Sequence, residues 1–119
     1  MTFDDAAGQG NPPNSLTATI TPNPRNIRLD WAPPHVRKNH VVSYELWRVE
    51  DPNNVGVTTA PNGGTFASRF LVGTTANGST LTLTDFTAKN NTWYTYWVQA
   101  NFDSPPLKSE RSTTVRIMK

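Results

Sequence analysis

Apolar side chains fall on alternate positions in segment after segment of this chain, and a period of two confines it to β-structure. SLTATI puts Leu16, Ala18 and Ile20 on one face, TPNPRN turns the chain at Pro22 and Pro24, and NIRLDW puts Ile27, Leu29 and Trp31 on one face. HVVSYELWRVE sets Tyr44 and Leu46 against Glu45, Trp47 and Val49 on the opposite face. SRFLVGTT, STLTLTDF with Leu81 and Leu83, TWYTYWVQANF, and STTVRIM with Val115 and Ile117 bring the total to about seven strands. No segment has a helical period and no internal repeat is visible, so the expected fold is all-β: a seven-stranded antiparallel β-sandwich.

A chain of 119 residues has room for one hydrophobic core. With no cysteine, that core must hold the fold by packing alone, without disulfide, thiolate nucleophile or cysteine metal site. The formal charge is only +2, with Lys and Arg scattered among acids, and this argues against a nucleic-acid partner. No apolar run approaches the roughly 20 residues that span a bilayer, and MTFDDAAGQG resembles no secretory signal, so a soluble chain without membrane insertion is expected. Residues 1–13 end on Gly and Pro and read as an extended N-terminal arm ahead of a domain over 14–119. The connection over 51–67, DPNNVGVTTAPNGGTFA, exceeds the roughly 2 to 5 residues of a hairpin loop, with room for a short strand at VGVTT.

The segments PPNSLTATI and IRLDWAPP resemble the first two strands of the fibronectin type III family, in which a tryptophan closes the second strand and prolines follow. YELWR resembles the family's third strand, and YTYWVQA its sixth, with Tyr94, Tyr96, Val98 and Ala100 alternating. VGTTANGSTLTLTD is closest in wording to versions from bacterial extracellular enzymes and surface proteins. The resemblance covers about residues 12–117 and rests on the joint spacing of Trp31, Tyr44 and Tyr94. Six residues ahead of Tyr94, where the family usually has leucine, this chain has Ala88, with Phe86 two residues earlier; either Ala88 fills that slot or Phe86 does with a longer turn. The resemblance implies an immunoglobulin-like sandwich with a core built on Trp31, Tyr44, Leu46, Tyr94, Tyr96 and Val98. It also implies a noncatalytic module, and the Arg-Gly-Asp motif of some members is absent.

With Tyr94, Tyr96 and Val98 inward, alternation sends Trp93, Thr95, Trp97 and Gln99 outward, as it sends Trp47 outward from the third strand. Trp47 and Trp97 are then candidate neighbours on one outer sheet face, with Arg116 within reach of an indole. With Phe3 of the arm they form the candidate partner-binding surface, unless the 51–67 connection or the arm covers them. His35 and His40 share a turn with Arg37 and Lys38 but find no third metal ligand, and they read as solvated loop residues. Asp30 and Asp85 border strands and read as turn hydrogen-bonders, while Asn77-Gly-Ser and Asn90-Asn-Thr read as turns. No nucleophile elbow, phosphate loop or paired carboxylates appear, so no catalytic residue, metal or cofactor is expected.

The expected function is a noncatalytic protein-protein interaction or structural accessory module. It would join other subunits of a capsid, tail or surface assembly, such as a virus-particle decoration or tail accessory protein, at a virion or extracellular surface. The alternative is a spacer or carbohydrate-binding module excised from a secreted bacterial enzyme or adhesin, with polysaccharide stacked on Trp47 and Trp97. Met1 fits a complete small protein or an excised module.

Overall fold

The computed structural model describes residues 11–50, 69–103 and 106–119. Most of the expected arm, Phe3 included, and the whole 51–67 connection lie outside the described residues. Among the described residues eight strands follow in order: β1 (Asn14–Thr21), β2 (Asn26–Ala32), β3 (Val41–Glu50), β4 (Phe70–Thr74), β5 (Thr82–Asp85), β6 (Trp93–Asp103), β7 (Pro106–Lys108) and β8 (Val115–Met118). The only other element among the described residues is a single 3-10 turn, Lys38–His40.

All pairings are antiparallel, and they form two sheets. One has the order β1-β2-β5; the other runs β4-β3-β6, with β7 and β8 both on the far side of β6. The expected seven strands are thus eight, because the last one is interrupted. β7 pairs with Asn101–Asp103 and β8 with Trp93–Tyr96. Between them Ser109 and Ser112 donate their backbone N–H groups to the carbonyls of Ala100 and Val98, at 2.8 and 2.9 Å. Their hydroxyls accept from the N–H groups of the same two residues, at 2.8 and 3.0 Å. Serine side chains carry the ladder where the strand breaks, and no backbone group of β6 is stranded there.

The core lies between the sheets. Tyr44, Leu46, Tyr94, Tyr96 and Val98 are each 0% exposed and Trp31 is 5% exposed. Leu16, Ala18 and Ile20 of β1 and Val115 and Ile117 of β8 close it from the margins. Trp31 meets Tyr44 edge-on, with ring centroids 5.4 Å apart, the arrangement the ring quadrupoles favour.

One buried polar cluster crosses this core. Asp85, at the end of β5, accepts from Arg48 Nη1 of β3 at 2.5 Å and from the Tyr96 hydroxyl of β6 at 2.7 Å. Its other oxygen accepts from the Thr87 N–H and hydroxyl, at 2.9 and 2.7 Å. The turn reading of Asp85 therefore describes half of what the side chain does. Burial alone would push its carboxyl up, but hydrogen bonds from Thr87, Tyr96 and Arg48 outweigh it and hold the group below the usual carboxylate range. The same contact, added to burial, pushes the Tyr96 hydroxyl far up.

The corner before Tyr94 resolves in favour of Ala88, which is 5% exposed, while Phe86 is 73% exposed. The Lys89 N–H donates to the Tyr94 hydroxyl at 2.7 Å, closing the corner from strand to loop. At the opposite end Asn77 Oδ1 accepts from the Ser79 N–H at 2.9 Å and the Thr80 hydroxyl at 3.1 Å, a turn of the kind its sequence predicts. A Cβ on Gly78 would lie 1.9 Å from the Val41 carbonyl oxygen, so only glycine fits there.

Two outcomes test these contacts. Because the Asp85 carboxyl lies below its unfolded value, its contribution is complete above about pH 4 and is lost as pH falls. Asp85→Asn leaves Arg48 buried without its charge partner, lowering stability at neutral pH by about 3–5 kcal/mol and flattening the acid limb. Urea unfolding at stepped pH measures both effects; an unflattened limb would assign the acid loss to other carboxylates. Gly78→Ala forces the Val41 backbone aside at a cost of about 1–3 kcal/mol, read as a lowered Tm.

Candidate functional site

The outward face of the five-stranded sheet is built by register. Glu45 lies opposite Gln99, Trp47 opposite Trp97 and Val49 opposite Thr95. The two indoles are direct cross-strand neighbours, yet their surroundings differ. Trp47 is half-buried, whereas Trp97 is 0% exposed and cannot serve as a surface anchor. β6, which carries Trp97, runs between β3 on one side and β7 and β8 on the other. Thr95 and Gln99 beside Trp97 are also buried, and Gln99 Nε2 donates to the Ser109 carbonyl at 2.9 Å, out to the interrupted edge. An antiparallel sheet commonly keeps one face wet. From Tyr94 to Ala100 of β6 both faces are dry.

Trp47 is committed at its edge and on its face. Its Nε1 donates to Glu45 Oε1 at 3.2 Å, and the Arg69 guanidinium lies 4.9 Å over its ring. Glu45 also accepts from Lys108 Nζ at 2.8 Å and from Asn101 Nδ2 at 3.1 Å. Burial pushes the Glu45 carboxyl up, but the hydrogen bonds, that of Lys108 foremost, bring it below its ordinary value. An indole with an arginine on its face and a carboxylate on its nitrogen offers a sugar ring less than a bare indole would. Arg116 is exposed. It sits opposite Thr95, and its guanidinium lies 5.4 Å over the diagonal neighbour Trp93.

Among the described residues the large apolar side chains most open to solvent lie elsewhere. Phe86 is 73% exposed, Val36 54%, and Phe70 45%; Val42, Leu71 and Met118 follow. Phe70 and Phe86 share a setting around Arg48. The guanidinium lies 4.5 Å over the Phe70 ring and 4.7 Å over the Tyr94 ring. Phe86 stands between Asp85 and Thr87, whose mutual hydrogen bonds pin the turn that carries it. Two exposed phenylalanines are thereby held on a rigid support where the edge strands of the two sheets approach one another. Sequence reasoning weighed Phe86 only as a corner filler and gave Phe70 no role; the Ala88 next to the corner was the available signal.

At the other end His40 Nδ1 lies 3.3 Å from Asp103 Oδ1, both half-exposed, and Arg37 lies 4.8 Å over the Phe102 ring. Among the described residues no three His, Asp or Glu side chains gather as a metal ion would require.

No protein-family model matches the chain, and no curated protein matches it by sequence. Solved structures do resemble it. A myokine structure aligns with a TM-score of 0.64 at 14% identity, over 92% of this chain and 96% of that one. A Fn3-like protein from Clostridium thermocellum aligns with a TM-score of 0.64 at 17% identity, over 92% of each chain. Together with the strand order and the corner at Tyr94, these likenesses give the chain the fold of a fibronectin type III-like domain.

Proposed function

We propose that this domain is a noncatalytic interaction or accessory module, serving as one subunit of a larger protein assembly at a virion or extracellular surface. The observation that carries the proposal is where the domain spends its polar groups. Arg48, Asp85, Tyr96 and Thr87 bond to one another inside the fold, and Glu45, Lys108 and Asn101 bond along one sheet face. Beside them Phe86 and Phe70 reach solvent, along with the exposed Lys89–Glu50 ion pair. Large aromatic side chains on a rigid support are the usual anchors of protein contacts, each able to contribute about 2 kcal/mol on burial.

A glycan platform would need open indole faces. Trp97 is buried and Arg69 lies over the Trp47 ring, so the tryptophan pair supports the protein-binding reading more than the polysaccharide one. Affinity electrophoresis in a panel of soluble glycans separates them. No retardation is expected; retardation that Trp47→Ala abolishes would overturn the protein-binding reading in favour of a carbohydrate-binding module. Denaturant unfolding gives a second outcome. Trp97→Ala lowers stability by about 3–5 kcal/mol, as for a core tryptophan, and Trp47→Ala by clearly less. Equal losses would place both indoles in the core.

A further inference from the structure

Two residues set the turn that joins β4 to β5 and so carries the chain from one sheet to the other. Gly78 lies against the Val41 carbonyl, where a side chain has no room. Asn77 before it is exposed, and its Oδ1 accepts from the Ser79 N–H and the Thr80 hydroxyl. Packing requires the glycine, and the turn is served by a short side chain with a carbonyl oxygen. The two together make an Asn-Gly pair in water, in which a backbone nitrogen unhindered by a side chain can attack the neighbouring amide carbon.

In that reaction the Gly78 nitrogen gives its proton to hydroxide and bonds to Asn77 Cγ. The bond from Cγ to Nδ2 breaks, and ammonia leaves with a proton taken from water. Water then opens the cyclic imide at either carbonyl, giving aspartate or isoaspartate. For the nitrogen to come within bonding distance of Cγ, the planar peptide unit between Asn77 and Gly78 must swing towards the side chain as one plate. Here that plate is held. The Asn77 carbonyl accepts from the Thr75 hydroxyl at 2.8 Å. Thr75 is buried; its hydroxyl accepts from the Tyr44 N–H and its own N–H donates to the Tyr44 carbonyl, both at 2.9 Å. The anchor is therefore the β3 ladder. Val41 of the same strand backs Gly78, and the two bonds on Oδ1 fix the side chain. Ring closure pulls against all of these contacts.

We propose that Asn77 is a deamidation site gated by the fold: protected while Thr75 and Val41 hold the turn, reactive when the turn opens, and altered irreversibly once it has reacted. The rate then follows the population of the opened turn rather than the intrinsic reactivity of the Asn-Gly pair. The two products differ in consequence. Aspartate keeps an oxygen where Oδ1 stands, and Ser79 and Thr80 bond to it as before. Isoaspartate routes the main chain through the former side chain and lengthens the backbone by one methylene. With Gly78 wedged against Val41, the longer turn does not close in its old register. The isoaspartyl form is thus a lasting chemical record that the junction between β4 and β5 has opened. This inference stands apart from the proposed function, and its failure leaves that reading intact.

Incubation of the full chain at mildly alkaline pH, followed by tryptic mass mapping, tests it. The tryptic peptide Phe70–Lys89 contains no other asparagine or glutamine, so its mass gain reports Asn77 alone, and Asn62-Gly63 falls in a different peptide. A synthetic peptide of the same sequence gives the ungated rate. The folded chain is expected to deamidate at least about tenfold more slowly than that peptide. Thr75→Val and Thr80→Val, each removing one hydroxyl that holds the turn, raise the rate in the folded chain severalfold and leave the rates of the corresponding synthetic peptides unchanged. Thermal unfolding of each variant confirms that the fold is retained at the incubation temperature. The isoaspartyl form, separated chromatographically, melts below the parent, whereas Asn77→Asp melts with it. The proposal is overturned by a folded chain that deamidates as fast as the peptide, by a rate that neither valine raises, or by an isoaspartyl form as stable as Asn77→Asp.

Discussion

The carboxylate of Asp85 joins three strands and both sheets. It belongs to β5 of the three-stranded sheet, and it is bonded to Arg48 of β3 and Tyr96 of β6 in the five-stranded one. Apolar contact between two sheets is non-directional and tolerates sliding; a carboxylate with four donors does not. A buried ion pair need not add net stability, because removing two charges from water is costly. Here the remaining lone pairs are satisfied by Tyr96 and Thr87, and the arginine lies between two aromatic rings, so the desolvated groups are not left wanting. The consequence is a fixed alignment of the sheets on the side where Phe70 and Phe86 reach solvent.

That cluster was legible in principle. The alternation that turns Tyr44 and Leu46 inward also turns Arg48 inward, and the parity of Leu81 and Leu83 extends to Asp85. Tyr96 shares the inward face of β6. A cation, an anion and a phenol on inward positions of three strands can only be reconciled by meeting. Reading each strand for its apolar face alone passes over this, because the polar members of a core carry no periodic signal. The core itself was readable: Trp31, Tyr44, Leu46, Tyr94, Tyr96 and Val98 occupy the positions that period two gives them, and all are buried.

The same rule misleads on the outer face of β6. Alternation determines which way Trp97 points, and it points as expected, opposite Trp47. Whether an outward side chain meets water depends on what lies over it, and that is tertiary information. The interruption of the last strand is equally hidden. Ser109 and Ser112 look like ordinary loop residues, yet their hydroxyls and N–H groups continue the ladder for Ala100 and Val98. A serine can stand in for a backbone acceptor without any change in the apolar pattern, so strand counting from periodicity sees one strand where two short ones exist.

These features bear on how such a domain can offer a surface without a flexible loop. Thr87 and Asp85 hold the backbone on either side of Phe86, and Lys89 is tied to Tyr94 two residues further on. A phenylalanine carried on so constrained a turn loses little conformational entropy when a partner covers it, because only its own rotamers remain to be fixed. An equally exposed ring on a mobile loop would forfeit part of its burial energy to ordering the backbone. The buried charge cluster and the exposed aromatics are therefore two sides of one arrangement, in which polar groups drawn inside the fold stiffen the support from which apolar groups project.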